Sequence, residues 1–223
     1  MENSIWKKFK PSIIWIADLI VNVAIVFGVV LLIEKFIVTP FDIFGPSMCD
    51  SMNNIKGECV KGYGEKIILN KAGYFVDTPK RGDIIVFVPK SSDEKFFIKR
   101  VIGLPGETVE ILNGDVYITN AEHPNGTKLD ELYLNEENNH NTPTFETGYK
   151  IFNVPEGEYF AMGDNRNAST DSRSCFQNPY AGGCNGDPSG AFVPVKNIEG
   201  KAWVKFWPIN SMQVIEQPVY FQN

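Results

Sequence analysis

The chain has 223 residues, enough for one or two domains with a real core. Its formal net charge of −6 and pI near 5.1 leave no strongly basic face, so no nucleic-acid partner is expected. Mean hydropathy is only −0.16, but the apolar residues are unevenly spread and crowd into one early stretch.

That stretch runs from Ile13 to Ile33. At about 1.5 Å per residue it spans roughly 31 Å as a helix, close to a bilayer's hydrocarbon core. Asp18 and Asn22 interrupt it, four apart on one helix face, where headgroups or a neighbouring helix can take them. The run is longer than the apolar region of a cleaved signal peptide, and no Ala-x-Ala site follows. An uncleaved anchor is therefore expected ahead of a signal peptide or a buried core helix. Lys7, Lys8 and Lys10 precede the span, whereas Glu34 and Lys35 cancel after it. The positive-inside rule then puts the N-terminus in the cytoplasm and the chain from about Phe36 onward outside the membrane.

After the anchor, Phe36 to Pro40 and Phe41 to Phe44 read as a short extended run broken by proline, with alternation at Phe41 and Ile43 suited to a strand edge beside a cleft. Gly45-Pro46-Ser47-Met48 follows, and Pro46 stiffens the backbone just ahead of the serine. Met48 to Lys71 is polar and carries Cys49 and Cys59. Glu65 to Phe75 returns to β-like material. Arg81-Gly82-Asp83 is a turn into the fully apolar strand Ile84 to Val88.

Ser91 to Lys95 is a polar, hairpin-like connection into Phe96-Phe97-Ile98-Lys99-Arg100-Val101-Ile102-Gly103-Leu104-Pro105-Gly106. Here a lysine sits inside an apolar, β-branched run that ends in a type II turn pair. Such a lysine must reach solvent or lose its charge. Lowering its pKa from about 10.4 to between 7 and 8 takes roughly 4 kcal/mol of desolvation.

Thr108 to Leu112, Asn113-Gly114 and Val116 to Ile118 read as a hairpin with a type I′ turn. Ala121 to Tyr149 is rich in Asn, Glu, Thr and Pro and holds both histidines, His123 and His140, read as loop residues. Glu158 to Met162 is a strand leading into Gly163-Asp164-Asn165-Arg166-Asn167-Ala168-Ser169-Thr170-Asp171-Ser172-Arg173. Ala202 to Trp207 closes the pattern as another strand. Helical periodicity is scarce beyond the anchor, so the remainder is read as mainly β.

The four cysteines agree with an address outside the membrane. Cys49 and Cys59 flank one loop, Cys175 and Cys184 another. Three disulfide pairings are possible, of which the two local ones close short loops; free buried thiols are the alternative. The spacings lack the close pairs of structural zinc sites, and no metal or cofactor is expected.

The segments around Ser47, Lys99 and Gly163 to Arg173, in that order, resemble the serine, lysine and Gly-Asp-Asn-Arg boxes of type I signal peptidases. These are membrane-bound serine proteases that remove secretory signal peptides. Arg81 to Phe87 matches a further box, and Phe192 to Ala202 resembles the closing strands. The resemblance covers most of the chain beyond Phe41. Residues 1–35 would then be the cytoplasmic N-terminus and transmembrane anchor. Residues 36–223 would be the exoplasmic peptidase domain, with 113–157 a small inserted β region. The implied partners are signal peptides of secretory preproteins and the lipid bilayer.

The resemblance makes Ser47 the nucleophile and Lys99 its general base. A Ser-His-Asp alternative lacks a histidine placed in any motif, while a desolvated lysine performs the same proton transfer. Ser169 falls where the family places a hydroxyl that hydrogen-bonds the lysine. Asp164, Arg166, Asp171 and Arg173 offer charge-assisted pairing that would hold their loop rigid. Gly45 stands where some members carry a serine that donates to the oxyanion, leaving the Ser47 N–H as the expected donor. Met48 is not followed by the family's proline. Phe41, Ile43, Phe44, Val86, Phe97 and Ile98 are the expected walls for small substrate side chains, with the substrate adding as a strand. Two other readings remain: a LexA-like Ser-Lys self-cleaving regulator, and an anchored β module that binds exported peptides without cutting them.

Overall fold

The computed structural model describes residues 4–92, 94–145, 150–178, 180 and 183–220, so residues 1–3 of the expected anchor and 221–223 of the expected peptidase domain lie outside it. Helix α1 spans Ser4–Phe36 and contains a strongly apolar segment, Ile14–Phe36, of mean hydropathy 2.7 and with no part of it buried. Leu, Ile, Val and Phe stand exposed around it. An apolar helix left uncovered by the other described residues along this segment fits a lipid environment.

The rest is mainly β. Strands β1 (Val38–Phe44), β2 (Asn54–Ile55), β3 (Glu58–Cys59) and β4 (Tyr63–Asn70) come first. A one-turn helix, α2 (Gly73–Val76), follows where extended chain was expected. The Asn70 side chain accepts the Gly73 N–H at 2.9 Å, offering the backbone a turn in place of a ladder partner. Then come β5 (Ile84–Phe87), β6 (Phe97–Gly103), β7 (Thr108–Leu112), β8 (Asp115–Thr119), β9 (Thr127–Lys128) and β10 (Ile151–Asn153). The last are β11 (Glu158–Met162), β12 (Phe192–Pro194), β13 (Ile198–Trp207) and β14 (Gln213–Val214).

The main sheet runs in the order β1-β4-β13-β5-β6-β11-β12, with β14 added on β13. Its pairings are antiparallel. Strand β5 is buried on both faces, as its unbroken apolar run dictates. Ile84 and Val86 pack with Ile43, Met48, Met52, Ile67, Leu69, Ile98 and Ala202. Ile85 and Phe87 face the other way, onto Val101, Tyr159, Ala161, Phe176 and Val193. The turn that carries Ser47 and the strand that carries Lys99 are thus set on one continuous core.

A second, four-stranded sheet has the order β10-β7-β8-β9. It begins at Thr108, five residues before the expected start of the inserted region at 113. Asn113 and Gly114 both have positive φ, at 53° and 87°, between Leu112 and its partner Asp115, the geometry that selects Asn-Gly. At the other end of β7, Gly106 has φ 79° and the Glu107 N–H reaches the Leu104 carbonyl at 3.1 Å, closing the turn after the lysine strand. Val109, Ile111, Val116 and Ile118 point into a core shared with Ile102, Phe160, Met162 and Phe192 of the main sheet.

Candidate active site

Strand β1 lies at the sheet edge and ends at Phe44. Gly45, with φ +86°, turns the chain in a region that side chains rarely enter. From Pro46 the backbone winds tightly: Cys49 N–H donates to the Pro46 carbonyl at 3.1 Å, Ser51 N–H to Met48 at 2.9 Å and Met52 N–H to Met48 at 2.6 Å. Met48 and Met52 drive this winding, since both side chains are buried in the core beneath it. Ser47 is left at the start of the turn with its hydroxyl toward a cavity. A trans peptide points its N–H away from its carbonyl. The Pro46 carbonyl is held by Cys49 N–H and by Asn165 Nδ2 at 3.2 Å, so the Ser47 N–H faces the opposite way. Asn165 N–H also holds the Ser47 carbonyl at 3.0 Å.

Strand β6 alternates its two cations. Lys99 sits opposite Ile85, and Arg100 opposite Ile84, so they project to opposite faces of the sheet. Lys99 is 3% exposed, and its Nζ lies 2.8 Å from Ser47 Oγ and 2.8 Å from the Ile98 carbonyl. The Phe97 ring stands 5.4 Å from the same nitrogen. Burial lowers the Lys99 pKa from 10.5 to about 8; the carboxylates of Asp171 and Asp164 oppose that fall, and Arg173 adds to it. A neutral amine against an alcohol is the arrangement that removes a hydroxyl proton.

The segment from Gly163 to Arg173 packs behind this pair. Arg173 grips Asp171 bidentately, at 2.9 and 2.7 Å, and Asp171 also accepts the Gly163 N–H at 3.0 Å. Burial works against the Asp171 charge, but Arg173 and that N–H hold its carboxyl below the ordinary range. Asp164 and Arg166 do not pair with each other. Asp164 takes Arg100 bidentately at 2.8 and 2.7 Å, and Arg166 reaches Glu131 and Thr142 at 2.8 and 2.9 Å. These groups are all buried, and the bidentate geometry offsets much of their desolvation. Gly163 is required here, because a Cβ would overlap Ser169 Oγ and the Ser47 carbonyl.

Ser169 departs from expectation. Its hydroxyl is buried against Gly163, beside the Asp171 carboxyl, without a partner in hydrogen-bond geometry among the described residues. The Lys99 amine instead donates to the carbonyl of its own neighbour, Ile98.

A cavity of about 830 Å³ opens over the pair, lined by Phe41, Phe44, Pro46, Tyr63, Phe96, Phe97 and Ile98 among others. Of the expected walls, Ile43 and Val86 are not on this lining. Each is fully buried one layer down, because the alternation of β1 and β5 turns them into the core. Phe44 and Tyr63 meet edge to face at 4.9 Å and remain 61% and 74% exposed at the rim. The structure pairs Cys49 with Cys59 and Cys175 with Cys184, with Cα separations of 5.5 and 5.0 Å. Among the described residues no cluster of His, Cys, Asp or Glu could hold a metal ion.

Comparison with known proteins places the chain. A sequence model of the family described as "Signal peptidase, peptidase S26" matches residues 16–207. Signal peptidase IB of Staphylococcus aureus (strain COL) is 30% identical over 209 residues, covering 89% of this chain and 93% of that protein. The chain belongs to the S26 signal peptidases. Signal peptidase I of Leptolyngbya laminosa is 36% identical over 161 residues, covering 69% of this chain and 66% of that protein. A crystal structure of a signal peptidase I from Enterococcus faecalis V583 is similar at 37% identity, with a TM-score of 0.39, covering 56% of this chain and 97% of that one.

Membership in the S26 signal peptidases makes the chain a hydrolase of the serine protease type, and the apolar helix of Ile14–Phe36 fits a membrane-anchored signal peptidase. The LexA-like regulator and the non-catalytic module are not favoured. The residues that sequence reasoning missed are the remote partners: Arg100 for Asp164, Glu131 for Arg166, and Asn165 for the Ser47 carbonyl. Arg100 left a signal as a second cation inside an apolar strand, and Asn165 as a member of the Gly-Asp-Asn-Arg box. Asn53 and Glu65, buried polar residues under the Ser47 turn, left none.

Proposed function

We propose that Ser47 is the nucleophile and Lys99 the general base of a membrane-anchored endopeptidase that cuts signal peptides from secretory precursors. The observation that carries this reading is the 2.8 Å approach of Lys99 Nζ to Ser47 Oγ at the floor of the cavity. Neutral Lys99 takes the Ser47 proton as Oγ attacks the scissile carbonyl. The tetrahedral oxyanion is met by the Ser47 N–H; Gly45 contributes no donor, since its own N–H is spent on the Gly62 carbonyl at 3.1 Å. Collapse expels the new N-terminal amine, protonated by the Lys99 ammonium, and leaves an acyl-enzyme. Lys99, neutral again, takes a proton from water, whose oxygen attacks the ester, and then returns it to Ser47.

The substrate segment adds as an extended strand between β1 and β6, with small side chains directed at Phe41, Phe97 and Ile98. Phe44 borders the same cavity at its rim. Asp164, Arg166, Asp171 and Arg173 serve as rigid support, and Ser169 packs behind Gly163. Lys7, Lys8 and Lys10 keep the N-terminus in the cytoplasm, so that residues from about 36 work on the outer face of the cytoplasmic membrane.

Purified protein in detergent should cut a secretory precursor after a small residue, and Ser47→Ala and Lys99→Ala should each abolish cleavage. Retained cleavage in the Lys99 variant would remove the proposed base.

A further inference from the structure

Asn53 lies outside the serine, lysine and Gly-Asp-Asn-Arg boxes, yet it is fully buried beneath the turn that carries Ser47. It ends the winding that starts at Pro46, and its φ of 61° is the left-handed conformation that asparagine tolerates best after glycine. Its side-chain amide donates to the Gly45 carbonyl at 2.9 Å, the Val60 carbonyl at 3.0 Å and the Gly62 carbonyl at 3.1 Å. Its Oδ1 accepts the Glu65 N–H at 3.0 Å, and its own N–H donates to Glu65 Oε2 at 2.7 Å. Lys205 holds the other oxygen of Glu65 at 2.9 Å. The amide is thus fixed from both ends.

The Gly45–Pro46 peptide has no N–H to give, so its only polar atom is the Gly45 carbonyl. Gly45 can rotate through conformations closed to other residues, and Gly45 and Pro46 both line the cavity beside Ser47. A carbonyl swung to the cavity side would set a partial negative charge against the developing oxyanion. Asn53 draws that carbonyl into the interior instead. The disulfide from Cys49 to Cys59 closes the loop that contains Asn53.

We infer that Asn53 is a positioning residue for the oxyanion side of the Ser47 reaction: it keeps the Gly45 carbonyl turned away so that the Ser47 N–H acts unopposed. This rests on the Ser47–Lys99 assignment above. The effect falls on the transition state and not on substrate binding, because the charge on the carbonyl oxygen appears only after attack.

Two variants test it in the full chain, in detergent, with a precursor peptide. Asn53→Gly keeps the left-handed backbone and deletes the amide. Gly64→Ala leaves Asn53 in place, but its Cβ would overlap Asn53 Oδ1 and displace the side chain. Both should lower kcat by about 10-fold or more, with KM within about 3-fold of the parent. The pH midpoint set by Lys99 should stay near 8, since neither variant touches the amine. A folded variant with parental kcat overturns the inference, and so does a loss that tracks melting temperature or falls equally on KM. Ser47→Ala, run in parallel, separates the two claims. Cleavage by that variant overturns the nucleophile assignment itself, whereas its inactivity beside a fully active Asn53→Gly overturns only the role of Asn53.

Discussion

Lys99 and Ser47 are 52 positions apart in the chain and 2.8 Å apart at their functional atoms. Two features close that distance: a turn anchored by Met48 and Met52, and a strand whose alternation aims the lysine at it. The low exposure that brings the amine to the alcohol also lowers its pKa, so geometry and protonation are one property of the site.

Cleavage should therefore rise with pH through about 8, because only the neutral amine can accept the Ser47 proton. Measuring kcat/KM between pH 6 and pH 10 checks this, at roughly tenfold per pH unit on the acid side. A flat profile would show that Lys99 is not the titrating group.

The same burial makes Lys99 a stability cost. Its folded pKa, about 8, lies below the ordinary 10.5, so the unfolded chain holds the extra proton between these values and stability rises with pH across that window. Below pH 8 the penalty is fully present, on the order of 3 kcal/mol. Lys99→Met should abolish cleavage yet raise the melting temperature at pH 7 by several degrees. The gain over the parent should shrink as pH rises from about 8 to 10.5. Destabilisation at pH 7 would contradict the penalty.

Asp171→Asn should move the activity profile to lower pH. The Asp171 carboxylate raises the Lys99 pKa, and the Arg173 guanidinium, no longer neutralised by that carboxylate, would lower it further. The broken buried pair should also cost about 3–5 kcal/mol of stability. Denaturant unfolding beside the pH profile reads both effects, and a profile displaced upward would contradict the sign.

Gly163→Ala should be inactive. The new methyl would overlap the Ser47 carbonyl and Ser169 Oγ, forcing the nucleophile turn off its position at about 1–3 kcal/mol. Full activity in a folded variant would show that the turn yields more than its contacts suggest.

Removing both Cys49 and Cys59 as serines should cost about 2–3 kcal/mol, the value for closing a short loop. The Cys49–Cys59 loop also carries the Asn53 clasp, so kcat should fall with it while KM holds. Equal losses in kcat and KM would separate the disulfide from the clasp.

Strands and local turns were legible from the sequence because their signals are local. The apolar run of β5, the lysine strand, the Asn113-Gly114 hairpin and the Pro105-Gly106 turn depend on neighbouring residues alone. The pairings among charges were not. Asp171 and Arg173, two residues apart, could be matched by eye, but Asp164 and Arg166 find partners 64 and 35 positions away. Those partners are fixed by how two sheets meet, which no local pattern encodes. For the same reason Ile43 and Val86 read as cavity walls although both point into the core. The α2 turn was missed because a single Asn70 side chain decided it.

Under the proposed Ser47–Lys99 assignment, adjacent cations on opposite faces of β6 make catalysis hostage to pairing fidelity. A slip of one residue against β5 would present a guanidinium to the serine and leave a primary amine facing Asp164. The guanidinium stays protonated at every physiological pH, so the misaligned chain could not ionise its alcohol. Folding errors of this kind yield silent protein, not a protease with altered habits.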